Sequence, residues 1–424
     1  MESVGRIFLH RDTEGKSDVT IVDESCLPIC FFLTSYMDDS ISQVINTKKT
    51  YATQLLFIYR YFDGLKIDIP ARVGRGEYFA PEEYEKFKRH CSYRDMDWTK
   101  AGGNVSSFKQ FSDKQLDIMI HASASSSELV SAHTIKLRLS LFANYVRYLY
   151  ELNHLTAEQT SDVKFKYDTL MRKISDDRWR IKPQNKDVRD PFDSVIPDAI
   201  YSALKECIEP FSPNNPFTLT SRQRNYLIVK LAIEGGLRRA AIAKLKLSDI
   251  KNDWFNPRIR ITRTPDDSSD TRLDRPSQKT KAHVTALSKD TMKRLIAYLE
   301  HERSTYPVSH THDFVFVAEK GPNKGKPLSL KGFDYVFSRL GKHLGFHLTA
   351  HMIRHKWNEE FDDAAVKRGY SDEKKEDIRK GAMGWSENSK MSEIYNAKSN
   401  AVNAQKIQQH MQREQFSKDE NNDS

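Results

Sequence analysis

The chain has 424 residues, 38% of them hydrophobic, and its 67 Lys and Arg outnumber its 58 Asp and Glu, which gives a formal net charge of +9. This length allows two or three domains with separate cores, and the modest positive charge favours acidic partners without proving that they exist. No apolar run is long enough to cross a membrane, and the N-terminus lacks the apolar core of a secretory signal. Zinc binding is not expected either, because Cys26, Cys30, Cys91 and Cys207 lack zinc-site spacing, and their thiols fit a reducing cytosol.

The first 38 residues are predicted to form an accessory N-terminal segment. Two short β-like runs, residues 6–10 and 18–22, lie on either side of a polar, turn-forming stretch. No residue in this segment indicates a particular chemistry, so its task is left open.

Residues 39–175 have the pattern of a helical domain. Apolar residues recur every three or four positions in residues 41–62 and again in residues 135–149, as in amphipathic helices. The basic candidates for DNA contacts beside these stripes are Lys48, Lys49, Lys136 and Arg138. An ordinary helical bundle with a solvated basic face shows the same pattern, and these residues alone do not separate the two interpretations.

Residues 176–194 are polar and punctuated by proline, which predicts a linker to a second domain at residues 195–400. The second domain begins with helices, and the alternation at residues 258–263 indicates a half-buried strand. A second strand-like stretch follows at residues 278–288, after a polar excursion, so a small sheet with a hairpin is expected. The charge-dense residues 362–380 are expected to hold an additional helix that does not touch the chemistry.

One candidate anion site lies where an apolar helical run stops and restarts. Gly235 and Gly236 end the first run and Ile242 belongs to the next, so Arg238 is predicted at the start of a helix. A guanidinium beside free backbone N–H groups suits a phosphate.

A second cluster of chemically active residues lies closer to the C-terminus. His351 and Arg354 are three residues apart, so on a helix they share one face and can converge on a single anionic group. Trp385 and Tyr395 follow, and the tyrosine phenol can attack a phosphate if its proton is removed and the growing charge is neutralised. These residues therefore combine a phosphate clamp with a nucleophile.

In this order the motifs resemble those of the tyrosine recombinases, the phage integrase family. The motifs are Gly-Leu-Arg at 236–238, His-x-x-Arg-His at 351–355, Gly-Trp at 384–385 and Ile-Tyr at 394–395. The resemblance is close over roughly residues 195–400 and only general over residues 40–155. It implies a mainly α fold with a small β-sheet, in which a helical core-binding domain and a mixed α/β catalytic domain form a C-shaped DNA clamp.

The resemblance also implies an activity and roles for particular residues. Tyr395 would attack a DNA phosphodiester to give a 3′-phosphotyrosyl bond, with the phosphate gripped by Arg238 and Arg354. His351 would manage the tyrosine proton, because a phenol of pKa about 10 is a poor nucleophile near neutrality. The family's general acid is a hairpin lysine; alternation alone does not choose between Lys279 and Lys281, but position along the motif favours Lys279, which leaves Lys281 as a DNA contact.

The implied setting is a bacterial one. A recombinase of this kind would act on double-stranded DNA as a homotetramer on two recombining sites, in the cytoplasm and on the nucleoid. It would need no metal and no cofactor, because the phosphotyrosyl bond stores the phosphodiester energy. The C-terminal residues 401–424 would then either dock on a neighbouring protomer or form a frayed tail.

Two positions depart from the usual family pattern. Ala241 stands where most members have an acidic residue, so the role of that carboxylate is absent or supplied elsewhere. Trp385 replaces the second histidine of most members, and its indole N–H can donate a hydrogen bond but cannot shuttle a proton. A site-specific recombinase or integrase of a mobile element or prophage is therefore the leading prediction. The alternatives are a type IB topoisomerase-like or hairpin-resolving enzyme and a catalytically silent DNA-binding relative.

Overall fold

The computed structural model describes most of the chain in separate stretches. They are residues 5–11, 13, 15–41, 44–94, 129–155, 161–182, 195–264, 267–278, 280–389, 391, 400, 404–405 and 407–412. Two units, residues 1–188 and 189–424, each have their own internal contacts, and each is described by itself.

The described residues of unit 1 form a β-hairpin followed by helices. The hairpin pairs β1 (Arg6–Arg11) with β2 (Ser17–Val22) in antiparallel register, with Arg6 opposite Val22. The helices are α1 (Phe31–Ser40), α2 (Ile45–Gly64), α3 (Ile69–Gly74), α4 (Pro81–His90), α5 (Ala132–His154) and α6 (Ser161–Arg180). The two predicted β-like runs therefore do form a hairpin.

The core of unit 1 lies between α2, α4 and α5. Phe62, Phe87 and Phe142 are fully buried, and their ring centroids lie 4.7 to 5.4 Å apart. Val19 and Ile21 of β2 belong to the same hydrophobic cluster, so the hairpin packs on the helices. The predicted boundaries after residues 38 and 175 fall inside α1 and α6, and the division into domains stays a prediction.

Unit 2 surrounds a short three-stranded antiparallel sheet with helices. The strands β3 (Ile250–Lys251), β4 (Arg258–Ile261) and β5 (His283–Ala286) lie in that order, with Ile261 opposite His283. The helices are α7 (Asp198–Cys207), α8 (Leu219–Gly235), α9 (Arg239–Lys244), α10 (Lys289–His301), α11 (Leu330–His343), α12 (Ala350–Lys367) and α13 (Asp372–Met383), with 3-10 turns at Leu247–Asp249, Arg303–Thr305, Pro307–Thr311 and Gly321–Asn323.

Local sequence explains where these helices begin. Ser288, Ser329, Thr349 and Ser371 each precede a helix, and each side-chain oxygen accepts a hydrogen bond from a backbone N–H of the first turn. Helix α8 is the centre of the core, because Leu227, Ile228, Leu231 and Ala232 are fully buried in it.

The mainly α fold with small sheets predicted from the sequence is confirmed, whereas the C-shaped clamp stays a prediction. The additional helix predicted in residues 362–380 is α13, but it ends at Met383, two residues before Trp385. It therefore leads directly into Trp385, and the expectation that it does not touch the chemistry stays a prediction. None of the helices that the structure describes is long and apolar enough to span a membrane.

Candidate active site

The turn between α8 and α9 places the first candidate arginine. Gly236 ends α8 with a left-handed backbone, φ +55°, and a Cβ there would come within 2.8 Å of Met383 and of the Trp357 ring. Arg238 follows as the N-terminal cap of α9, as predicted, and is half-buried. The helix that it begins, α9, has only six residues.

Helix α12 brings the second arginine to the same turn. Arg354 is only 2% exposed, and its Nη1 donates a hydrogen bond to the carbonyl oxygen of Gly236 at 2.7 Å. Its guanidinium carbon lies 5.7 Å from the centre of the Trp385 ring, which is itself buried. A buried guanidinium with a fixed orientation suits a bidentate phosphate clamp.

Strand β5 and the end of α13 lie against each other next to this turn. The backbone N–H of Lys281 donates to the Gly384 carbonyl at 2.8 Å. Gly384 has φ +62°, and a Cβ there would meet the Lys281 carbonyl oxygen at 2.6 Å and the His283 ring. A Cβ on Gly235 would likewise meet Thr285 at 2.6 Å, so glycines allow β5 to approach both α8 and α13.

Trp357 is a structural member of the site that motif reasoning missed. Its Nε1 donates to the backbone carbonyl of Glu234 at 2.9 Å, and its ring packs beside Gly236. The available signal was its position three residues after Arg354, which places both side chains on one face of α12.

His351 lies at the start of α12 and is exposed. Its Nε2 lies 3.1 Å from Nε2 of His355, one helical turn later, so the two imidazoles form a hydrogen-bonded pair. The spacing of four residues between His351 and His355 in the motif already indicates that the two rings can meet on a helix.

Two of the predicted catalytic residues, Lys279 and Tyr395, lie outside the described residues. Their roles as general acid and nucleophile therefore stay predictions. Lys281 is described: its side chain is exposed and its Nζ lies 3.9 Å from a Glu387 carboxylate oxygen.

Ala241 occupies the position of the usual family carboxylate. Ala241 is buried in α9 and offers only a methyl group. The carboxylate of Glu234 at the end of α8 is engaged elsewhere, because it accepts hydrogen bonds from the Ser288 backbone N–H and hydroxyl and from the Thr291 hydroxyl. Glu234 therefore anchors the start of α10.

Two of the residues predicted to contact DNA have internal partners. Lys48 is 6% exposed, and its amine lies within 2.8 Å of both Asp18 and Asp38. Arg138 is buried with its guanidinium 3.5 Å from the centre of the Phe57 ring.

These contacts argue against a DNA role for Lys48 and Arg138. An amphipathic pattern does not distinguish a solvated cation from a buried, paired one, which is why the sequence suggested them. Lys49 and Lys136 are half-buried and stay predictions as DNA contacts. Within the described ranges no group of three or more His, Cys, Asp or Glu side chains is arranged to hold a metal ion.

Arg354 thus lies against Trp385 and against the carbonyl of Gly236, two residues before Arg238, and these residues form the candidate site of unit 2. Residues 214–401 match the sequence profile of the phage integrase family. These residues form a phage integrase family domain, and the predicted resemblance to the tyrosine recombinases is confirmed for this part of the chain.

The matches to individual relatives span only part of each relative's length. Transposase A from transposon Tn554 of Staphylococcus aureus is 33% identical over 133 residues, which is 31% of this chain and 34% of the transposase. The chain thus spans about a third of the curated relatives that it matches.

Among solved structures, XerH site-specific recombinase bound to difH substrate has a TM-score of 0.48 at 17% identity, covering 87% of this chain and 82% of that one. The Tn1549 transposon integrase in complex with transposon right end DNA has a TM-score of 0.36 at 14% identity, covering 78% of this chain and 94% of that one.

Proposed function

We propose that the protein is a site-specific DNA recombinase of a mobile element that cuts and rejoins double-stranded DNA through a phosphotyrosyl intermediate. The observation that carries this proposal is the contact of Arg354 with Trp385 and with the carbonyl of Gly236, two residues before Arg238, in a domain that matches the phage integrase family. The similarity to a transposase favours a mobile element as the setting.

In this proposal the two arginines bind the non-bridging oxygens of the scissile phosphate. The negative charge on those oxygens grows as phosphorus becomes five-coordinate, and fixed guanidinium groups stabilise it without reorganising. Arg354 already has its orientation set by the Gly236 carbonyl and by the Trp385 ring, so it is preorganised for this task.

In this proposal Tyr395 and Lys279 carry out the covalent steps. The Tyr395 oxygen attacks phosphorus, the bond to the 5′-oxygen breaks, and Lys279 gives a proton to that leaving oxygen. The tyrosine proton passes to His351. Because His351 is hydrogen-bonded to His355, the two imidazoles can share this proton. Rejoining reverses these steps with a second DNA strand, so neither ATP nor a metal is required.

Partners and location are part of the same proposal. A recombination reaction needs two DNA sites and four strand cleavages, so we propose that four copies of the chain act together on two duplexes. The protein would then work where the DNA is, on the bacterial nucleoid in the cytoplasm.

A suicide substrate tests the function directly. Duplexes taken from the DNA flanking the gene, each nicked close to the candidate cleavage point, should trap protein covalently on DNA in a denaturing gel. Tyr395→Phe should abolish the adduct and leave DNA binding almost unchanged, because the ring stays and only the nucleophilic oxygen is lost.

Each alternative has its own signature in the same assay. An adduct that persists in Tyr395→Phe moves the nucleophile to another tyrosine. Relaxation of supercoiled plasmids that lack the flanking sequences supports the topoisomerase-like alternative, and binding without any adduct supports the silent relative.

A further inference from the structure

His283 lies next to the candidate site, and the mechanism gives it no role. It opens strand β5, and its ring lies against Gly384, at a position where a Cβ would collide with it. The backbone hydrogen bond from Lys281 to Gly384 fixes β5 against the end of α13, one residue before Trp385. The ring is therefore held in place by backbone on one side.

The hydrogen bonding of His283 fixes its tautomer. Nδ1 lies 3.0 Å from the Lys281 carbonyl oxygen, which can only accept, so Nδ1 carries the proton of the neutral ring. Nε2 is then a bare lone pair. This atom is buried, and none of the described residues offers it a hydrogen-bond partner.

The charges around His283 are mostly positive. Burial lowers the pKa of His283, and the charges of Arg354 and Arg238 lower it further, while the Lys281 carbonyl works in the opposite direction. Of the acidic groups on neighbouring elements, Glu234 is bonded to Ser288 and Thr291, and Glu387 lies beside the amine of Lys281. In the unliganded protein the imidazole is thus neutral near pH 7.

We propose that His283 is a further contact to the DNA phosphate and that it takes up one proton at Nε2 when the phosphate binds. This rests on the proposed function, because the phosphate is placed by Arg238 and Arg354. A bare Nε2 lone pair repels a phosphate oxygen, whereas an Nε2–H donates to it. The arriving anion also offsets the two arginine charges that oppose protonation, and the proton comes from solvent without any bond being broken.

The proposal has a definite sign with pH. His283 has a higher pKa in the complex than in the free protein, so binding is favoured below the free pKa and weakens as pH rises through the pKa of the complex. One linked proton changes affinity by up to about tenfold per pH unit within that window.

The experiment uses the full chain with every histidine labelled with carbon-13 at Cε1, and sulfate as the probe. Sulfate carries a constant charge between about pH 5 and 8, so any change in titration belongs to the protein. The chain has 14 histidines, and the His283 resonance is the one missing from His283→Asn, with His283→Gln as a second variant for the same assignment. His351 and His355 give separate resonances.

In chloride we expect His283 to titrate below the ordinary range of histidine, and in sulfate at equal ionic strength its midpoint should rise by about one pH unit or more. Arg238→Gln should raise the midpoint in chloride and shrink the sulfate effect. An unchanged midpoint in sulfate overturns the proposal, as does a sulfate effect of full size in Arg238→Gln. Because no DNA is cut, this result is independent of the suicide-substrate assay, and either proposal can fail alone.

Discussion

The guanidinium of Arg354 is the most constrained cation of the candidate site. It is almost fully buried, donates to the Gly236 carbonyl and lies over the Trp385 ring. Burying such a cation costs free energy, and the Gly236 carbonyl and the Trp385 ring offset part of that cost.

Replacing Arg354 or Arg238 by Lys should reduce formation of the covalent adduct by roughly 100-fold or more, because an ammonium cannot make two parallel hydrogen bonds to a phosphate. The measurement is the rate of adduct formation on the suicide substrate. Arg368→Lys, at the exposed end of α12, is the matched control and should keep its rate. Full activity in both Arg354→Lys and Arg238→Lys would show that neither guanidinium clamps the phosphate.

The general acid is assigned by a different substitution. Sulfur in place of the bridging 5′-oxygen gives a leaving group that needs no proton, so this substrate should rescue cleavage by Lys279→Ala but not by Arg354→Ala. Rescue of Lys281→Ala alone would move the acid to Lys281. If the sulfur substrate rescues neither lysine variant, both lysines contact only the DNA phosphate backbone.

Helices α8 and α12 and strand β5 hold the site through close backbone approaches. Gly236 combines a left-handed backbone with packing against Met383 and Trp357, so the turn before Arg238 depends on the absence of a side chain. Small residues at these contacts keep the turn before Arg238 against Arg354 of α12.

Gly236→Ala should therefore lower the free energy of unfolding by more than the roughly 1–2 kcal/mol of left-handed strain alone, and should also slow adduct formation. Gly369→Ala is the matched control: Gly369 has φ +70°, but a Cβ there meets nothing within 4 Å. Urea denaturation of both variants measures the difference. Equal losses of unfolding free energy in the two variants would mean that the residues around Gly236 accommodate the added methyl group without a free-energy cost.

Across the protein as a whole, stability depends on buried ionic groups as well as on apolar packing. Glu319 is 8% exposed and lies 3.5 Å from Arg224. Burial raises the pKa of Glu319 from 4.5 to about 7, because desolvation outweighs the attraction of Arg224.

This shift predicts a loss of stability with rising pH. The folded state holds the Glu319 proton more tightly than the unfolded state, so its contribution is fully present below about pH 4.5 and is lost as pH rises through 7. The loss is on the order of 3 kcal/mol. Urea unfolding measured between about pH 4 and 8 should show this loss of unfolding free energy in the wild type and not in Glu319→Gln. The same pH dependence in both proteins would assign it to other groups.

Some features of this protein follow from local sequence. Ser288 starts α10, the Gly235–Gly236 pair ends α8, and the motif at 351–355 lies on one helix, because capping, left-handed glycine and helical spacing each depend on a few neighbouring residues. The order of the four motifs was sufficient to predict the phage integrase family.

Other features depend on contacts between residues far apart in the chain. Lys48 and Arg138 have the spacing of surface cations, and only packing shows that Asp38 and Phe57 hold them inside unit 1. The sequence gives no sign that His283 belongs to the site, and its place against Gly384, one residue before Trp385, exists because β5 packs against both α8 and α13. Long-range packing decides which side of an element meets a given neighbour, and no local pattern carries that information.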